Sequence, residues 1–260
     1  MKLFFRHFGT GNPIVILHGL FGISDNWVTL GKRLSQNAEV FIPDLRNHGQ
    51  SPHSHVFSVP ALVEDLSEFT GDHNLPSIAL IGHSLGGLTS MQFALQYPDR
   101  VKKLIVVDIS LRKRQDYQEH LQLINAMMEV DFSIVSKRSD VERQLMKTVG
   151  SQKLRNFLLK NVYWRDKHTL DWRLNLAGIN ENLPLIYEGT SDDLCFTGPT
   201  LFIRGGSSDY IKDQDLDDIY KKFPRAVIST IPNASHWVHA DAPEEFFDLV
   251  SEFLLSNQPA

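Results

Sequence analysis

Five short runs in this chain are wholly apolar and rich in β-branched residues: Ile14 to Leu17, Val40 to Ile42, Ile78 to Ile81, Leu104 to Val107 and Leu201 to Ile203. Runs of this length without polar alternation suit strands buried on both faces of a parallel sheet. Segments with helical spacing lie between them. Val59 to Phe69 places Leu62, Val63, Leu66 and Phe69 on one side, and Leu85 to Tyr97 stops before Pro98. Parallel neighbours need crossover connections, so the alternation predicts βαβ units in an α/β fold with a mostly parallel, doubly wound sheet. The same rhythm closes the chain, with a helix from about Asp213 to Phe223, a strand around Ala226 to Ile231 and a helix from Pro243 to Leu255.

The stretch from Leu111 to about Leu194 breaks that rhythm. Its apolar residues fall at helical spacing (Leu121, Ile124, Met127, Met128, then Leu154, Phe157, Leu158, Val162), and no run in it reads as a strand. It predicts a small helical cap, residues 111–195, inserted between the strand ending at about Val107 and the one beginning at about Thr200. Residues 1–110 and 196–260 then form the core. Met127, Met128, Phe157 and Trp164 read most simply as core side chains of the cap.

Charge narrows the partners. The 26 basic and 31 acidic residues are spread along the chain and leave a net charge of -5, without the basic stripe that a phosphate backbone requires. No nucleic-acid partner is expected. No apolar run approaches the ~20 residues that span a bilayer, and Arg6 and His7 interrupt Leu3-Phe4-Phe5 before a signal-peptide core is complete. These features predict a cytoplasmic chain without stable membrane insertion. The single cysteine, Cys195, suits a reducing compartment and reads as a buried or partly buried bystander.

Chemistry concentrates at the ends of the predicted strands. Ser77 to Ile81 runs into Gly82-His83-Ser84-Leu85-Gly86-Gly87, and a helix follows at once. Strand, G-x-S-x-G, helix is the context of a nucleophile elbow, in which a sharp turn presents one hydroxyl at the strand end. Ser84 is the candidate nucleophile. Ile14 to Leu17 is followed by His18-Gly19-Leu20-Phe21-Gly22, a turn whose amides can face a developing oxyanion. The amides of Leu85 and Leu20 are the candidate oxyanion donors, with Phe21 as an alternative, and His18 reads as holding the loop. A serine hydroxyl needs a base that titrates near ambient pH. His236, in Pro232-Asn233-Ala234-Ser235-His236-Trp237-Val238-His239-Ala240 after the last strand, is that candidate. His239 reads as a loop hydrogen-bonding residue. A carboxylate must orient the imidazole, and the chain order of serine, acid and histidine leaves Asp108, which ends Leu104 to Val107, and Asp209, in the loop after Leu201 to Ile203.

These segments resemble the α/β-hydrolase superfamily, and within it the YbfF-type bacterial esterases and their mitochondrial relatives. The likeness covers nearly the whole chain. It rests on His18 to Gly22, Asp44-Leu45-Arg46-Asn47-His48-Gly49-Gln50-Ser51, Gly82 to Gly87, Val107-Asp108-Ile109-Ser110, Trp172-Arg173-Leu174-Asn175-Leu176 and Ala234 to Ala240. The resemblance implies Asp108 as the acid, although the wider superfamily more often takes it from the loop that here holds Asp209. It also implies a serine carboxylesterase acting on short- to medium-chain acyl esters, with acyl-CoA thioesters as an extension. No cofactor or metal is implied. Arg46, Asn47 and His48 read as holding their loop beside the site, with direct substrate contact as the alternative. Trp172, Arg173 and Asn175 read as pinning the cap to the core, with substrate gating as the alternative. Phe157 and its apolar neighbours then become candidates for lining an acyl pocket.

Fold does not fix reaction. Perhydrolysis or carbon-carbon bond hydrolysis would use the same scaffold, and a non-catalytic ligand-binding protein would share its outline. The partner implied is a small-molecule ester or thioester, and the chain is expected to be a monomer or homodimer.

Overall fold

In the computed structural model, which describes residues 1–113, 117–188 and 194–256, each of the apolar runs is a strand. Strands β1 (Phe5–Phe8) and β2 (Pro13–Leu17) precede helix α1 (Val28–Leu34). Strand β3 (Glu39–Pro43) leads to α2 (Val59–Asp72), β4 (Ile78–His83) to α3 (Leu85–Gln96), and β5 (Val101–Val107) to an insertion. The insertion carries α4 (Gln118–Met128), α5 (Arg138–Leu145), α6 (Gln152–Leu159), β6 (Val162–Trp164), β7 (Leu170–Trp172) and α7 (Leu176–Ile186). The chain closes with β8 (Thr200–Gly205), α8 (Leu216–Lys222), β9 (Ala226–Ile231), α9 (Val238–Asp241) and α10 (Pro243–Leu255). The expected cap runs through 114–116 and 189–193, and the expected core ends in 257–260; these stretches lie outside the described residues.

Seven strands form one sheet in the order β1-β3-β2-β4-β5-β8-β9, parallel throughout except where β1 meets β3. The predicted α/β sheet is therefore the observed one. The central strands carry unbroken apolar runs because successive side chains alternate between two buried faces. In β5, Leu104 and Val106 join the cluster packed under α2 and α3, while Ile105 and Val107 join the one under α1 and α10. Helix α2 begins where the Ser58 hydroxyl accepts from the Ala61 amide with Pro60 in the first turn, and it buries Leu62, Val63, Leu66 and Phe69.

Two strand groups escaped the sequence. β1 is an edge strand, antiparallel to β3 and only half-buried, so Arg6 and His7 break its apolar pattern. β6 and β7 pair as a hairpin inside the insertion, which corrects the expectation of a cap made of helices alone. Each strand has three residues, too few to display a period of two. Val162, read as part of a helical face, starts the first of them. Met127 is fully buried as expected, but Met128 and Trp164 are both 53% exposed and belong to no core. Cys195 is exposed rather than buried.

The order of strands places the site. From β2 the chain moves outward to β3, then crosses back to β4 on the other side, so the winding reverses between β2 and β4. Loops leaving the C-terminal ends of neighbouring strands diverge at such a switch point and open a crevice. Here the loop after β2 is His18 to Gly22 and the turn after β4 is the Ser84 elbow. The insertion is fastened above this crevice. The Asn175 amide donates to the Asn47 carbonyl (3.0 Å), Asn175 Nδ2 donates to Asn47 Oδ1 (3.1 Å) and Asn161 Nδ2 donates to the Phe21 carbonyl (2.8 Å). Trp172 and Arg173 act within the insertion instead. The indole of Trp172 donates to the Met127 carbonyl at 2.9 Å, and the Arg173 guanidinium lies over the Tyr163 ring.

Candidate active site

Ser84 stands between β4 and α3 with φ 52° and ψ -116°, a conformation that an L residue adopts only under local strain. Two backbone bonds hold it there: its amide donates to the Val107 carbonyl at 3.1 Å, and its carbonyl accepts from the Leu88 amide at 2.9 Å. The flanking glycines are demanded by close approach. A Cβ on Gly82 would lie 2.2 Å from the Gly86 carbonyl oxygen, and one on Gly86 would lie 2.4 Å from the Leu17 carbonyl oxygen. Ser84 itself is buried at 6% exposure, open only toward a cavity of about 110 Å³ beneath the insertion.

His236 lines the same cavity, and its Nδ1 lies 2.8 Å from Asp108 Oδ2. Asp108 follows β5 directly, at φ 49°, and is wholly buried. Its carboxylate also accepts from the Gly205 amide (2.9 Å) and the Ser208 hydroxyl. Those bonds occupy the oxygens of a buried carboxylate and fix it facing the imidazole. Asp209, the alternative acid, is not in this group. Its side chain is 66% exposed and its nearest ionic partner is Lys212, at 3.6 Å. The loop that carried Asp209 as a candidate still contributes on either side of it. Ser208 bonds Asp108, and the Tyr210 ring stacks on the His236 imidazole at 3.7 Å between centroids. Neither residue type stands out in sequence; the signal was the loop's position at the end of β8.

The amides of Leu20 and Leu85 sit in the turn after β2 and at the first residue of α3, and among the described residues neither donates to a protein acceptor. The Phe21 alternative fails, because its amide already donates to His48 Nε2 at 3.1 Å. His48 in turn donates from Nδ1 to the Arg46 carbonyl (2.9 Å), which fixes its tautomer. His18 is arranged alike, accepting from the Leu45 amide at Nε2 (3.0 Å) and donating from Nδ1 to the Gly19 carbonyl (2.8 Å). Arg46 grips Asp65 through Nε and Nη2 and the Val56 and Ala61 carbonyls through its remaining donors. Arg46, Asn47, His48 and His18 thus hold the loops around the crevice, and none of them lines the cavity that Ser84 and His236 share. Among the described residues His239 has no partner for the loop hydrogen bond read for it: its ring stacks on Trp27 at 4.1 Å, and its Nδ1 is buried with no acceptor or donor among them. Among the described residues no group of three or more His, Cys, Asp or Glu side chains is placed to hold a metal ion, and no helix is long and apolar enough to cross a membrane.

A family model described as the alpha/beta hydrolase fold matches residues 12–243. The chain belongs to the α/β hydrolases. Among its relatives are the sn-1-specific diacylglycerol lipase ABHD11 of Danio rerio, 39% identical over 95% of this chain and 79% of that protein, and the esterase YbfF of Escherichia coli, 32% identical over 94% and 93%. A solved marine microorganism esterase superposes with a TM-score of 0.94 at 40% identity, covering 97% of this chain and 99% of that one. This α/β hydrolase is a carboxylic ester hydrolase, an esterase or lipase by its relatives.

Four imidazoles of this hydrolase are buried and neutral. Burial lowers the pKa of His18 to about 4 and of His48 to about 3, and holds His83 and His239 well below the usual value of 6.5. His83 also donates from Nε2 to the His236 carbonyl at 2.9 Å, which anchors the loop that carries the imidazole. In the unfolded chain all four take a proton near pH 6.5, whereas in the folded chain they do so only at much lower pH. Between those limits the unfolded state holds more protons, so stability is complete above pH 6.5 and falls as the pH drops through that window. The expected uptake on unfolding at about pH 5.5 is roughly three to four protons, a slope of roughly 5 kcal/mol per pH unit. Urea titrations at closely spaced pH values between about 5.5 and 6, above the range where carboxylates dominate, check it. A flat profile there would mean that these imidazoles are charged in the native state.

Proposed function

We propose that this protein is a serine hydrolase that cleaves short- to medium-chain acyl esters through an acyl-enzyme. The observation that carries the reading is the convergence of a strained Ser84 and a His236 paired with buried Asp108 on one small cavity. His236 takes the Ser84 proton at Nε2 as the hydroxyl attacks the acyl carbonyl. Asp108 accepts from Nδ1–H, selects the tautomer that leaves Nε2 free as a base, and stabilises the imidazolium that forms. The amides of Leu20 and Leu85 hold the oxyanion; one such donor is worth roughly 10²–10³ in rate. His236 passes the proton to the leaving oxygen, the alcohol departs, and a water activated by the same imidazole releases the acid. Leu20, Phe21, Leu123, Leu154 and Phe157 give the cavity apolar walls, and their closeness favours a short chain. The insertion contributes three of these and serves as a cap over the acyl group. Both named relatives are called ester-cleaving enzymes, which agrees with this chemistry.

The test is hydrolysis of nitrophenyl esters of graded acyl length. The expected profile peaks at short to medium chains and falls for long ones, and an aryl phosphonate should label Ser84 covalently in a stoichiometric reaction. A peak at long chains would overturn the acyl-length reading, and modification elsewhere would overturn the nucleophile.

A further inference from the structure

A second cavity of about 390 Å³ lies beside the catalytic one, between α6 and the loops that follow β2 and β9. The two share His83, Phe157 and Trp237 in their walls, and the Phe157 and Trp237 rings meet at 5.9 Å, tilted, where the cavities adjoin. One wall is the Trp27–His239 stack, and there the Nδ1 of His239 is buried with no hydrogen-bond partner among the described residues. Lys153, Asn156 and Lys160 stand at the opposite, exposed side.

Two arguments say what this space is for. Stereochemistry supplies the first: the imidazole that takes the serine proton must return it to the leaving oxygen, so the alcohol half of an ester lies on the histidine side of the reacting carbon. The loop that carries His236 serves both spaces: His236 lines the small cavity with Ser84, Trp237 lines both, and His239 and Ala240 line the larger one, while Leu20, Phe21, Leu123, Leu154 and Phe157 give the small cavity the apolar walls suited to an acyl group. Charge supplies the second. The Lys153 ammonium is already paired with Asp241 and lies 5.4 Å from the centre of the Trp237 ring. Glu244, at the start of α10, is turned to Arg33. Lys160 has no carboxylate within ion-pair distance among the described residues, and it adds a small share to the lowering of the His239 pKa that burial dominates. The mouth therefore carries an unmatched positive charge.

We infer that the larger cavity is an alcohol-side subsite that accepts a leaving group bearing an anion, a carboxylate or a phosphate, with Lys160 as the cation that meets it. The inference rests on the ester-hydrolase reading above. The reaction is unchanged: the acyl C–O bond breaks, the proton from Ser84 reaches the leaving oxygen through His236, and the anionic alcohol departs past the Phe157–Trp237 pair.

The experiment compares three butyrate esters that share one acyl group: a nitrophenyl ester, its ring-carboxylated analogue, and the ester of a hydroxyphenyl phosphate. The readout is the ratio of kcat/KM for each charged ester to that for the uncharged one. Lys160→Ala is expected to lower that ratio about three- to five-fold, mainly through KM, as befits an exposed ion pair. Lys160→Glu should lower it further, Lys160→Arg should retain it, and ~1 M salt should flatten it in the wild type without any substitution. A fall confined to the carboxylate or to the phosphate ester supports the inference and identifies the anion. Equal ratios in all four proteins, or a ratio indifferent to salt, overturn it. Failure of the wild type to hydrolyse any of the three esters would instead overturn the ester-hydrolase reading itself.

Discussion

Ser84→Ala is expected to lower ester turnover by a factor on the order of 10⁴–10⁶, leaving only what the oxyanion amides and substrate binding provide. The effect is large because Ser84 is the serine that lines the small cavity with His236, whereas the Ser208 hydroxyl bonds Asp108 on the Nδ1 side of the imidazole. The same position carries a stability signature. At φ 52° and ψ -116° a Cβ is strained, and glycine is not. Ser84→Gly should therefore be as inactive as the alanine variant yet more stable than it by about 1 kcal/mol, since relief of the turn outweighs the added freedom of the unfolded chain. Turnover of a nitrophenyl butyrate and thermal unfolding of the three proteins read both effects. Residual activity near the wild-type level in either variant would remove Ser84 from the mechanism, and equal melting temperatures would remove the strain.

That strain could be read in the sequence only as two glycines around a serine, and the contrast shows which parts of this protein are legible in one dimension. The central strands were, because a position buried on both faces of a parallel sheet admits little except apolar side chains, as in Leu104 to Val107. β1 was not, because an edge strand tolerates Arg6 and His7 on its open side. The β6–β7 hairpin was not, because its strands are shorter than the period that would reveal them, and its order comes from Asp166 accepting the His168 and Thr169 amides. In the site, elbow and late histidine could be read because glycine spacing and chain order constrain them. The residues that steady the pair could not: Tyr210 stacks on His236 and His83 binds its carbonyl, and both contacts are made across the sheet between segments distant in the chain. The D-x-R-N-H-G-x-S segment proved to be a brace. Asp44 accepts the Ser24 and Gln50 amides, Arg46 is bound to Asp65, and Asn47 receives the insertion through Asn175.

The choice between the two candidate acids is where sequence alone ran out, and it yields the second large expected effect. Asp108→Asn should slow turnover by roughly 10³–10⁴. The amide that replaces the carboxylate can present an N–H to His236 Nδ1, which favours the tautomer protonated at Nε2 and so occupies the nitrogen that must act as base. It also withdraws the charge that would stabilise the imidazolium, in a site with no exposure to water at that side chain. Asp209→Asn should change turnover less than two-fold, since its carboxylate is largely exposed and touches Lys212 rather than the histidine, and exposed pairs of this kind are worth about 1 kcal/mol or less. Steady-state kinetics on one nitrophenyl ester, with circular dichroism to show that both variants are folded, separates the two. A small loss for Asp108→Asn with a large one for Asp209→Asn would require the loop after β8 to rearrange when substrate binds, carrying Asp209 inward to replace the Asp108–His236 pair.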